Sequence, residues 1–172
     1  ARPAGEKRLK EWTWEQNPFV GTRSFQGLKL MMLLLENWDI KDSNNEIIQT
    51  QGTNKLRYVI SDLGATFGKT GGLPVLWTIT RSRNNPEDYE KARFVEGVEG
   101  EFLKFRYEGK KKSIFDDITV AQARWLAGWL SRLSRSQIRD AFRAANYSSD
   151  EVATLTDAVL DRIEQLRTVR RR

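Results

Sequence analysis

Hydrophobic and polar positions follow three regimes along this chain. From Phe25 the apolar residues fall at near-helical spacing, at Leu28, Met31, Met32 and Leu35, with Leu30, Leu33 and Leu34 on the remaining faces. A helix apolar nearly all round is a buried one. Ser24 reads as its N-cap, and the run predicts a helix to about Asn37, where a polar loop, Asp39–Asn45, begins. The period then drops to two. Leu56, Tyr58 and Ile60 alternate with Arg57, Val59 and Ser61, which predicts a strand over Leu56–Ser61 paired with one over Glu46–Thr50. Gln51-Gly52-Thr53-Asn54 supplies the turn. A second strand pair is expected around Arg93–Val98 and Glu101–Tyr107.

The third regime is helical and fills 119–167. Thr119 with Gln122, Ser134 with Gln137 and Ser148 with Glu151 each have capping-box spacing ahead of an apolar-periodic run. These runs begin with Val120, Ala123 and Leu126, then Ile138, Ala141 and Phe142, then Val152, Leu155 and Val159. Two stretches lack a period. Residues 1–23 hold Pro3, Gly5, Pro18 and Gly21 and read as irregular, with Trp12, Trp14 and Phe19 packing onto the domain or onto a preceding part. Residues 65–91 hold Gly68, Gly71, Gly72, Pro74 and Pro86 and read as a long mobile loop. The expectation is one α+β domain over 1–172, mainly helical: a buried helix and hairpin in 24–64, a second small hairpin, a three-helix subdomain and a basic tail at 168–172.

Composition narrows the chemistry. The chain has no Cys and no His, so disulfides, thiolate chemistry, Cys/His zinc sites and His-based triads are excluded. Oxygen-ligated cations such as Mg²⁺ remain. No run of 18 apolar residues is present, so no transmembrane helix is expected. No leader is visible, but residue 1 is Ala, which leaves cytoplasmic and exported locations both open. The net charge of +6 is concentrated in Lys110-Lys111-Lys112 and in the tail at Arg167, Arg170, Arg171 and Arg172. Both read first as a solvated turn and a frayed terminus, with a nucleic-acid-binding module as the lesser reading.

Two strings carry candidate chemistry: Asp39-Ile40-Lys41-Asp42-Ser43-Asn44 and Asp62-Leu63-Gly64. They stand at the two feet of the first hairpin, which would bring them together. Phosphoryl transfer asks a protein for positioning and charge neutralisation. Asp39 can face an attacking hydroxyl, Asn44 and Asp62 can hold a hard cation, and Lys41 can offset phosphate charge. Gly64 permits a tight turn after Asp62. Gly64-Ala65-Thr66-Phe67-Gly68-Lys69-Thr70 approaches a P-loop, but has three residues between its glycines where four are needed, and Gly71, Gly72 and Pro74 oppose the helix that must follow. Its backbone amides and Lys69 are better suited to touching an anion as a lid beside the phosphates, with a plain surface loop as the alternative.

The segment from Ser24 to Gly64 resembles the C-terminal lobe of the protein-kinase-like fold. A buried helix leads to Asp-x-Lys-x-x-Asn, and a hairpin leads to Asp-x-Gly. The wording at 37–45, at Ser61-Asp62-Leu63-Gly64-Ala65 and at Gln137-Ile138-Arg139-Asp140-Ala141-Phe142-Arg143-Ala144-Ala145 is similar to a group of bacterial proteins. These are related to atypical kinases of the HipA and secretory-pathway types. The resemblance implies an ATP- and Mg²⁺- (or Mn²⁺-) dependent phosphotransferase acting on a hydroxyl acceptor. It implies Asp39 as catalytic base, Lys41 on the transferred phosphate, and Asn44 and Asp62 on the metal. The sequence also departs from the pattern. Asn37-Trp38 stands where a typical kinase has His-Arg, and Leu63 where it has Phe. No Ala-Pro-Glu segment follows, and no Gly-rich loop or strand-borne lysine precedes Ser24. The nucleotide-clamping lobe is therefore expected outside this chain, which alone would be inactive. A catalytically dead scaffold that binds a protein partner is the alternative.

Overall fold

The computed structural model describes residues 5–70 and 81–170. It is a mixed α+β structure in which helix predominates. Strand β1 (Glu6–Glu11) is followed by helix α1 (Arg23–Leu34) and the hairpin β2 (Asn45–Thr50) and β3 (Leu56–Ile60). Then come a short helix α2 (Pro86–Lys91), a second hairpin β4 (Val95–Glu99) and β5 (Phe102–Phe105), and the helices α3 (Val120–Leu130), α4 (Arg135–Ala144) and α5 (Ser149–Thr168).

Both expected hairpins form, as do all three capping boxes. Three expectations need correction. The irregular 1–23 segment contains β1, which adds a third antiparallel strand in the order β1-β2-β3. Its sequence, Glu-Lys-Arg-Leu-Lys-Glu, shows no period because almost every position is exposed, and charge on an edge strand discourages further pairing. Trp12 and Trp14, just beyond it, pack into the core beside Phe25. The cap of α1 is Thr22, whose side chain accepts from the Phe25 N–H, and not Ser24. The loop over 65–91 is not irregular throughout. Asn85 caps α2, with Pro86 in its first turn, and Ala65, Thr66 and Thr70 are buried. Gly71, Gly72 and Pro74 lie outside the described residues, as do Pro3, Arg171 and Arg172. In the expected hairpin, β3 is a half-exposed edge, while β2, between two partners, buries Asn45 through Ile48.

One apolar cluster runs from Trp12 to Leu166. Helix α5 contacts α1, α2, α3 and α4, and the largely buried α1 also packs against α3. Even the lysine of α1 is internal: Lys29 meets Asp117 at 3.0 Å, and Gln26 donates to the same carboxylate. Asp117 therefore acts as a tether between α1 and the approach to α3. Among the described residues, no helix is long and apolar enough to cross a membrane.

Candidate functional site

The site begins where α1 stops. Leu35 closes the helix, and Glu36 turns left-handed at φ 55°. The Glu36 N–H returns to the Leu33 carbonyl at 2.9 Å and the Asn37 N–H to the Met32 carbonyl at 2.9 Å, which is the Schellman pattern. Glycine usually occupies that left-handed position, because a Cβ is disfavoured there. Here it is a buried glutamate, and its carboxylate explains the choice. Arg162 of α5 meets it at 2.7 Å, with both side chains 3% exposed. Thr70 donates to its other oxygen at 3.1 Å. The same guanidinium donates to the carbonyls of Leu34 and Tyr89 and lies 3.9 Å from the Tyr89 ring centroid. Burial pushes the Glu36 carboxyl upward, against the opposing pull of Arg162 and Thr70.

That cap delivers the chain into Asn37-Trp38-Asp39. The Asn37 carboxamide accepts from the Asp39 N–H at 3.1 Å and donates to the Asp62 carbonyl at 3.4 Å. It therefore spans the two strings directly. The Asn44 carboxamide donates to the Asp39 carbonyl at 2.8 Å, and the Ser61 N–H donates to the Asn44 carbonyl at 2.7 Å. Asn45 pairs with Ile60 at the foot of the hairpin. Asp39, Lys41, Asn44 and Asp62 are thus gathered at one end of the β2–β3 ribbon, as the sequence suggests.

The electrostatics centre on Asp39. Lys41 stands 3.1 Å from one carboxylate oxygen and Lys110 2.6 Å from the other. Partial burial pushes its pKa up, but the hydrogen bonds and charges of Lys110 and Lys41 together outweigh this and hold the carboxyl below its ordinary range. For a cation, the available donors are hard oxygens. Asn44 has its amide nitrogen committed to Asp39, which leaves Oδ1 to ligate. Asp62 is exposed; one of its oxygens receives the Gly64 N–H at 2.8 Å, and the other has no partner among the described residues. No group of three or more acidic, His or Cys side chains is clustered among the described residues. Asn44 Oδ1 and the Asp62 carboxylate are hard oxygens of the kind a cation such as Mg²⁺ takes.

Lys69 has other partners. Its ammonium pairs with Asp88 of α2 at 3.2 Å, and its N–H donates to the Ser82 hydroxyl. Asp88 is held below its ordinary value by Ser82 and by Lys69. Thr70 bridges to Arg81, and Gly68 packs so close to the Ser82 carbonyl that a Cβ would collide with it. This segment is pinned to the domain, and Trp38 donates to the Ser82 carbonyl at 3.1 Å.

One wall of the site escapes a reading from sequence. Lys110 and Lys111, a charged turn by composition, lie directly against the Asp39 loop. Lys111 bridges Asp42 and Glu15, at 2.9 Å from the latter. Burial works against its charge, but these two carboxylates prevail and raise its pKa. The contacts span 69 and 71 positions, and no local spacing signals them.

No family model, no curated protein and no solved structure matches the chain.

Proposed function

We propose that this chain is the catalytic and metal-holding lobe of an ATP-dependent phosphotransferase of atypical kinase-like type, acting on a hydroxyl acceptor. The observation that carries the reading is the bonded loop–hairpin unit. Asn37 and Asn44 tie Asp39 to the Asp62 turn through the 3.4 Å and 2.8 Å bonds described above. The residue order, the intervening ribbon and the hard-oxygen donor set all favour the same chemistry.

In this reading Asp39 accepts the hydrogen bond of the acceptor hydroxyl and aims its oxygen at the terminal phosphorus of ATP. A bond forms from that oxygen to phosphorus as the bond to the leaving ADP oxygen breaks, and the hydroxyl proton passes to Asp39 or to solvent. Because its pKa is lowered, Asp39 acts chiefly by orientation, with proton transfer late. Asn44 Oδ1 and the Asp62 carboxylate would hold Mg²⁺, which when bound would offset phosphate charge. Lys41 adds a mobile positive charge beside the transferred group.

Calorimetric titration of the full-length protein with ATP, with and without Mg²⁺, tests the assignment. Asp62→Ala is expected to weaken Mg²⁺-dependent binding at least about tenfold, the effect of losing one charged ligand. Equal affinity in the variant and the parent would overturn the metal role of Asp62.

A further inference from the structure

The segment 107–111 is built onto the catalytic loop by several independent contacts. The buried Tyr107 hydroxyl lies 2.8 Å from the Asn37 carbonyl and 3.2 Å from the Lys110 carbonyl. The Lys110 N–H donates to the Trp38 carbonyl at 2.9 Å. Gly109 lies flat against the loop: a Cβ there would run into the Tyr107 hydroxyl and stand 2.8 Å from the Trp38 Cα. Lys111 adopts a left-handed conformation at φ 53°, unusual for a residue with a side chain, and spans Asp42 and Glu15. A surface turn does not need this much fixing.

The fixing places an ammonium. Lys110 Nζ lies 2.6 Å from Asp39, whose other oxygen already has Lys41 at 3.1 Å. One carboxylate neutralises one lysine, so the trio carries a net charge of +1 (two ammonium groups less one carboxylate). Arg81 adds a further cation close by. Its guanidinium lies over the Trp38 ring at 5.5 Å from the centroid and donates to the Glu108 carbonyl. A hydroxyl that approaches Asp39 competes with the two ammonium groups for its lone pairs, and a phosphate beside it offers either ammonium a second anion.

We propose that Lys110 is a phosphate-binding residue of this site, leaving Asp39 for the transferred phosphoryl group as the acceptor hydroxyl takes its place. The assignment rests on reading the Asp39 loop as a phosphate site and adds to it a residue delivered from a distant turn. Lys110 and Lys41 would then flank the phosphate oxygens on two sides, and Gly109 and Tyr107 set the position of Lys110.

Titration calorimetry with inorganic tripolyphosphate in metal-free buffer provides the test, because it needs neither an acceptor nor turnover. Lys110→Met is expected to lower affinity about tenfold, the loss of one charge-assisted hydrogen bond. Lys110→Arg should restore most of it. Lys112→Met is the control, since Lys112 pairs with Glu108 on the exposed side and should change affinity less than twofold. Gly109→Ala retains every charge yet should weaken binding by displacing the loop, and thermal unfolding of each variant verifies that the fold persists. Equal losses in Lys110→Met and Lys112→Met would overturn the proposal in favour of diffuse surface charge, as would no binding by the parent protein. Tripolyphosphate binding that depends on Lys110, together with no Mg²⁺-dependent ATP binding, would leave this site standing and remove the kinase reading.

Discussion

Asp39 is held between two ammonium groups, and its titration should report them. In a carboxyl-carbon NMR titration its midpoint is expected below the ordinary aspartate value of about 3.9. In Lys110→Met that midpoint should rise, because the hydrogen bond of Lys110 is its strongest lowering influence. An unchanged midpoint would mean that the pair does not persist in solution. The linkage has a definite sign. A depressed folded-state pKa contributes stability that is fully present above the unfolded value and is lost as pH falls through the folded one. Denaturation curves of the parent protein and Asp39→Asn should therefore converge at acid pH and differ at neutral pH. Neither lysine is informative by itself in the sequence. Lys41 is legible because it stands two positions from Asp39. Lys110 is not, because only the packing of Tyr107 and Gly109 against Asn37 and Trp38 brings it there.

At the scale of elements, the most legible parts were those whose signals are local. The three C-terminal helices each begin with a side chain that accepts from the N–H three residues on and a Gln or Glu that reaches back. Ser148→Ala, at the start of the longest helix, should cost about 1 kcal/mol and lower the melting temperature by about 2–4 °C for a chain of this size, measured by circular dichroism. No shift would mean that the box adds nothing once α5 is packed. The hairpin was legible because its alternation brackets a turn sequence. Strand β1 was not, since an edge strand exposed on nearly every side chain has no hydrophobic period to read. Helix α2 was a different failure. Asn85-Pro86-Glu87-Asp88 is a sound helix start, but six residues are too few to show a face, and the surrounding glycines obscured it.

At the scale of the molecule, the helical part and the candidate site meet at Glu36 and Arg162. Arg162→Met would leave a buried carboxylate without its counter-ion and remove the guanidinium bond to the Tyr89 carbonyl, while the Leu34 carbonyl keeps the Tyr89 hydroxyl as a donor. The expected loss is about 3–5 kcal/mol, read from urea unfolding, with a smaller loss for Glu36→Gln, which keeps hydrogen-bonding capacity. A loss below about 1 kcal/mol would show that the pair is solvated and not internal. Position 162 falls on the apolar stripe of α5, seven residues after Leu155, whereas Arg167 falls on the exposed face. Its role follows from α5 lying against the end of α1 and against α2.

That same pair sets an order of events during synthesis. A ribosome delivers residue 36 well before its partner, 126 positions later, an interval of roughly 6–25 s at ordinary elongation rates. Throughout that interval Glu36 has no guanidinium to justify its burial or its left-handed turn. The loop that follows it, with Asp39 at its centre, therefore lacks this support from behind until α5 has been made. Asp39, Lys41, Asn44 and Asp62 are made early in this stretch of chain, but the pair that buries Glu36 beside them forms only once α5 has been made.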